Sequence, residues 1–173
     1  MAISTYNSHV HVAKYYASLQ ANTYFVLGRT TEWSNEESPP TPDPKTISLD
    51  EVIGYKRAST VSLCRPLKSE ETPQYDTVEY GDRTWVLIPQ DKAFEEEAKW
   101  VYYYTEITGD ELPTGFYRQV GVHIDLKPQS NVSKPNLLPS EVDDKGTLIT
   151  FDNRQPMNRI EKGTSVERFI MQC

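Results

Sequence analysis

The stretch FYRQVGVHIDL (116–126) decides the class of fold. Val120, Val122, Ile124 and Leu126 alternate with Gln119, Gly121, His123 and Asp125. Successive side chains on a strand point to opposite faces, so this period of two predicts a half-buried strand with one polar face. Upstream, WVYYYTEI (100–107) is dense in aromatic and β-branched residues, which suit a pleated surface. Between these and the N-terminus, residues 77–80 and 83–88 flank Gly81-Asp82, a two-residue hairpin turn. Residues 61–63 form a short strand. Two last strands, 147–151 and 164–171, bracket DNRQPMNRIEKG (152–163).

Further out, SHVHVAKYYASLQ (8–20) places Val12, Tyr15, Tyr16 and Leu19 at helical spacing. That predicts one amphipathic helix with Ser8 as its cap. Residues 23–27 read as a buried strand. Ser48-Leu49-Asp50-Glu51 has the form of a capping box and predicts a short helix ending near Gly54. Residues 34–46 hold four prolines and no apolar residue, so they form a surface loop. Residues 128–144 are a long polar excursion. The sum is a mainly β chain with one N-terminal helix, α+β at the margin. Its expected architecture is a β-sandwich-like domain with long surface loops.

The chain has 173 residues, which suits a single domain, 1–173. Hydrophobic residues make up 37% and aromatic residues 11%, with eleven tyrosines. A modest core with a surplus of tyrosine points to a folded protein that completes its burial against neighbours. The net charge of −7 argues against nucleic acid, whose phosphates call for clustered Lys and Arg. No apolar run approaches the roughly 20 residues of a membrane helix, and the N-terminal segment lacks the pattern of a signal peptide. The two cysteines, Cys64 and Cys173, lie in no metal-ligand spacing and are expected as free thiols.

Catalytic motifs are absent. His9-Val10-His11 could pair on a metal but has no third ligand nearby, so it reads as helix entry. His123 with Asp125 lacks a nucleophile and reads as a surface histidine. Glu95-Glu96-Glu97 reads as a solvated face. No cofactor, metal or catalytic residue is expected. Three arginines draw attention: Arg29 after the first strand, and Arg154 and Arg159 around Pro156. A planar fork of five donors suits carbonyls and carboxylates. They either clamp the chain's own loops or reach a neighbouring subunit.

Four segments in order resemble baseplate wedge proteins of contractile-tailed bacteriophages, of the T-even gene product eight type. These are HVAKYYASLQ (11–20), LGRTTEWSNEESPPTP (27–42), FYRQVGVHIDLKP (116–128) and GTLITFDNRQPMNRIEKGTSVERFIMQC (146–173). The second carries a strand, Gly-Arg, a spaced Trp and a Pro-Pro-x-Pro loop; the last leads a strand into Asn-Arg-x-Pro. Longer members insert a second domain where this chain has only a small β subdomain at about 60–112. Gln155 stands where the family pattern has proline.

The resemblance implies a virion protein, made in the host bacterial cytoplasm and built into the tail baseplate. It would be a non-enzymatic wedge or peripheral adaptor that links larger subunits in a symmetric assembly. Its partners would be other baseplate and tail proteins, further copies of itself being one option, with no nucleic acid and no membrane. The implied interface residues are Arg29, Trp33, Pro39, Pro40, Asn153, Arg154 and Pro156. Tyr102 and Tyr104, on one strand face, suit interface or core equally. Trp33 either docks on a partner or folds back over its own core. The alternative is a carbohydrate- or receptor-binding β-sandwich at a baseplate or fibre tip, since exposed Trp and Tyr stack on sugars.

Overall fold

The structure, a computed structural model, describes residues 1–173. Its elements in chain order are α1 (Tyr6–Ser18), β1 (Tyr24–Gly28), β2 (Gly54–Arg57), β3 (Thr60–Pro66), β4 (Thr77–Tyr80), β5 (Arg83–Ile88), β6 (Trp100–Thr108), β7 (Gly115–Ile124), β8 (Lys127–Pro128), β9 (Asn136–Leu137), β10 (Val142–Asp144), β11 (Thr147–Arg159) and β12 (Thr164–Gln172). Strands dominate and α1 is the one α-helix, as the patterning predicts. The chain divides into two compact units. One holds residues 1–20, 60–104 and 168–173; the other holds 21–59 and 105–167.

In the first unit the sheet order is β12-β6-β3-β5-β4. The β4–β5 hairpin turns at Gly81 (φ 59°) and Asp82 (φ 58°), and paired positive φ values match the twist of the flanking strands. Helix α1 packs on β3. Its cap is Thr5, not Ser8: the Thr5 hydroxyl accepts the Ser8 N–H at 3.3 Å. The buried seam is also different from the one expected. Val10, Ala13 and Ala17 are covered, whereas Val12 and Tyr15 are 42% and 53% exposed. Small side chains at this spacing let a helix sit close to a sheet, and the bulky residues that dominate the hydropathy pattern are left outside.

Arg65 of β3 is buried and forks to two acids. It donates to Glu71 at 2.6 and 2.8 Å and to Glu96 at 2.9 Å. Glu96 is therefore tied down, and the acidic run is not wholly solvated. The Arg65 guanidinium holds the Glu71 carboxyl down to about 2. Cys64 and Cys173 are both free. Cys64 pairs with Trp100 on one side of β6, and Cys173 bonds Lys99 on the other.

In the second unit the sheet order is β11-β7-β1-β2-β9, with β8 and β10 forming a two-stranded ribbon. Strand β7 lies between β1 and β11 and is buried on both faces from Tyr117 to Ile124. The half-buried reading fails because a central strand covered on both sides must also bury its polar row. The capping-box helix does not form either. Residues 47–53 run without helix, Ile53 N–H bonds Leu27 O at 2.8 Å, and Glu51 adopts φ 44°. The Glu51 carboxylate instead accepts the backbone N–H groups of Thr30 and Thr31 at 3.0 and 2.8 Å. Strand β11 continues past Phe151 to Arg159, with shifts of register at 148–150 and 153–157. Much of the segment expected between the last two strands is thus strand.

His123 is 1% exposed, not on the surface. Its Nδ1 lies 2.8 Å from Lys145 O, and the Tyr55 ring meets it edge-on. Burial pushes its pKa down to about 4. A depressed histidine stays neutral in the fold while the unfolded chain takes up a proton near pH 6.5. Its contribution is complete above that value and lost as the pH falls toward 4. The chain is expected to be about 2 kcal/mol less stable at pH 5 than at pH 7.5 through this group alone. Urea unfolding of wild type and His123→Gln at both values checks it: the variant should lose that part of the pH dependence, and parallel curves would refute the assignment.

Candidate functional site

The most elaborate arrangement of side chains in the second unit fastens the proline loop that follows β1. Gly28 ends that strand where a Cβ would come within 2.6 Å of Asp50 O. Arg29 then turns the chain with φ 54°. Its N–H bonds Asp50 O at 2.6 Å, and its guanidinium reaches the Asp50 carboxylate at 3.0 Å. The same guanidinium lies 3.8 Å from the centre of the Trp33 ring, a cation–π stack. The Trp33 indole N–H donates to Arg154 O at 2.9 Å. Trp33 therefore folds back onto its own unit, with the ring still partly exposed.

The strands beneath supply the remaining anchors. Arg118 of β7 is buried. It donates to the Glu36 carboxylate through Nε at 2.8 Å and Nη2 at 2.5 Å, and to Thr30 O at 2.6 Å. That pair holds the Glu36 carboxyl below its usual range. Gln119 Nε2 donates to Asn153 Oδ1 at 2.9 Å, and Asn153 Nδ2 donates to Pro40 O at 2.9 Å. Gln155 reaches Glu37 O at 3.2 Å. Arg154 Nη1 meets the buried Glu167 carboxylate at 2.6 Å, which also accepts the Tyr117 hydroxyl at 2.6 Å.

Six of the residues singled out in the sequence thus converge here: Arg29, Trp33, Pro39, Pro40, Asn153 and Arg154. Pro156 sits within the shifted part of β11, where the missing N–H of proline is tolerated. Tyr102 and Tyr104 belong to the first unit. Their rings stack 6.3 Å apart; Tyr102 is 5% exposed and Tyr104 partly so. Arg29, Arg154 and Arg159 all bond within the chain. Arg159 donates to Thr108 O, Leu112 O and Pro113 O.

The anchors that sequence reading passed over are Arg118, Gln119, Glu36 and Glu51. One signal pointed to them: Arg and Gln inside an otherwise apolar strand need buried partners, and the loop ahead carries the acids. Within it the Thr31 hydroxyl also donates to the Glu51 carboxylate at 2.7 Å. Together these bonds keep a proline-rich loop in one conformation.

The family model described as "Baseplate wedge 3 tail fiber network component" matches residues 1–173. "Virion protein 3" of Enterococcus phage phiEF24C is 46% identical over 171 residues, which cover 99% of this chain and 94% of that protein.

Proposed function

The chain belongs to the baseplate wedge 3 tail fiber network component family, and from that premise we propose that it is an adaptor joining larger baseplate subunits. It is a structural component of the phage virion and its baseplate. The adaptor role is positional, with no bond made or broken. Its partners are other baseplate and tail proteins, and the face around Trp33 is one docking surface. One observation carries this reading. The loop 29–46 is fastened by Arg118, Asn153, Gln155 and Glu51 before any partner arrives. A loop ordered in advance loses little entropy on docking, and a partly exposed Trp flanked by Arg suits an interface anchor.

Cross-linking of intact virions, with mass-spectrometric counting against the tail-sheath protein, tests it. The expected result is a copy number that is a multiple of the tail's symmetry, with links from 29–46 or 152–163 to larger tail proteins. Absence of the chain from mature virions would overturn the reading. The variant Trp33→Ala is expected to stay folded, losing about 1–2 kcal/mol, while its incorporation into virions drops. Normal incorporation of that variant would remove Trp33 from the docking surface.

A further inference from the structure

Strand β11 is the terminal strand of its sheet and, at 13 residues, the longest strand in the chain. A long terminal strand offers a row of unpaired N–H and C=O groups to another chain. Shifts of register bend β11 at 148–150 and at 153–157, but residues 150–153 run in even register against β7. Residues 147–151, TLITF, carry no charge and are rich in β-branched and apolar residues. That composition in a terminal strand favours pairing with the same segment of a second copy.

The proline loop is built to reach this edge. Strands β1 and β2 are antiparallel neighbours with Leu27 opposite Gly54, so a short hairpin turn would join them. The chain instead runs from 29 to 53 past β7 to β11, two strands away from β1's other side. There the Trp33 indole N–H donates to Arg154 O, Asn153 Nδ2 to Pro40 O, and Gln155 Nε2 to Glu37 O. Further on, Pro42, Pro44 and Thr46 lie along residues 148–151 across a cleft of about 300 Å³. Four of the six residues 39–44 are proline. Proline has no N–H, so the loop covers the strand without offering a ladder of its own to the next chain. Glu37 and Asp43 are exposed on it, and like charges on two copies repel. The cleft separates the loop from 148–151, so the hydrogen bonds at 153–155 and the Arg118–Glu36 pair hold it there.

We infer that the proline loop is a self-blocking cover, which keeps β11 of one copy from pairing edge to edge with β11 of a second copy. What it excludes is this chain itself. A two-fold contact would set TLITF antiparallel to its own sequence, with no charge on either side to oppose it. The length of the β1–β2 connection, its four prolines and its attachment to a strand outside that hairpin then share one cause. A cover held by polar contacts across a cleft can be removed while the core stays folded, so the blocking is separable from the fold. The inference does not depend on the adaptor reading, because it concerns the chain before any partner is met.

The test replaces residues 37–46 of the full chain with a Gly/Ser segment of equal length, which leaves Trp33, Glu36 and Arg118 in place. Sedimentation velocity over a concentration series compares this variant with wild type. The variant is expected to self-associate about tenfold or more tightly than wild type. Adding Ile149→Lys puts a charge on the uncovered edge and should return the variant to wild-type behaviour. A second variant, Asn153→Ala with Gln155→Ala, keeps the loop sequence and cuts two of its attachments to β11. It should shift in the same direction by a smaller factor, and it decides the matter if the Gly/Ser variant does not fold. Sedimentation identical to wild type in the folded variants would overturn the inference. So would association that Ile149→Lys leaves untouched, since the contact would then lie on another face. Self-association of wild type that Ile149→Lys abolishes would overturn it as well, because the edge would be open with the loop in place.

Discussion

Arg159→Leu is expected to destabilise the chain by about 3–5 kcal/mol. Arg159 is 3% exposed and donates to three backbone carbonyls of the turn after β6: Thr108 O at 2.8 Å, Leu112 O at 2.9 Å and Pro113 O at 2.7 Å. Leucine fills much of the volume but donates nothing. Three carbonyls then lose their partner at once, and each that stays out of reach of water costs about 1–2 kcal/mol. The site has little room to relax. Gly109 is so close to Ile160 and Glu161 that a Cβ would stand 2.2 Å from a carbonyl oxygen. The same turn carries Glu111, which pairs with Lys56 of β2 and accepts the Thr108 N–H through its second oxygen. Arg159→Lys should recover less than half of the loss, because a point ammonium cannot span three acceptors arranged for a fork. Urea unfolding of the three proteins checks this. The midpoint should shift at unchanged slope, and a loss below about 1 kcal/mol for Arg159→Leu would mean that the carbonyls find water.

Arg159 also marks where the sequence was readable and where it was not. As one of three arginines near turns it could be picked out, but the Thr108–Pro113 carbonyls lie far away in the chain and no local pattern names them. The same division holds elsewhere. The β4–β5 hairpin was legible because Gly81-Asp82 fixes its own geometry. β6 was legible because aromatic and β-branched residues favour strands wherever they lie. The helix was legible as a helix, but its buried side was not, because closeness to a sheet favours Ala13 and Ala17 over the larger Val12 and Tyr15. The Ser48–Glu51 box failed because Glu51 has a better use. Two backbone N–H groups of the loop after β1 compete for its carboxylate, and a distant bond overrides a local one. His123 was misplaced for a related reason. A strand's polar row is outward only if the second face meets water, and β7 has both faces covered. In the candidate site, six of the seven residues of the wedge resemblance converge, whereas their anchors Arg118 and Glu36 stand 82 positions apart in the sequence.

Glu167→Leu is expected to cost about 3–4 kcal/mol, from a different source. Glu167 is 1% exposed, and its two oxygens are used in opposite directions. Oε1 accepts the Tyr117 hydroxyl and Oε2 accepts Arg154 Nη1, both at 2.6 Å. Burial pushes the Tyr117 hydroxyl far above its usual range, with the Glu167 charge adding to it, so it stays a donor and needs an acceptor. Burial opposes the charge of Arg154, and Glu167 with Asp152 more than restores it. Removing the carboxylate takes the main acceptor from both groups at once. Asp152 remains near Arg154 at 3.3 Å but is half exposed, and it cannot replace a buried partner. Glu167→Gln should cost less, about 1–2 kcal/mol, since the amide oxygen still accepts one of the two bonds. The double variant Glu167→Leu with Arg154→Leu decides what the pair contributes. Breaking a buried ion pair costs more than replacing it with apolar groups, so the double variant should be more stable than Glu167→Leu alone. Additive losses would show instead that Arg154 is hydrated whenever Glu167 is gone. The consequence reaches the docking loop through the backbone. Arg154 is also the residue whose carbonyl holds the Trp33 indole. Faster amide exchange across 33–40 in Glu167→Leu would tie the buried pair to the loop. Unchanged exchange there, with the stability loss intact, would confine Glu167 to holding β11 and β12 in place.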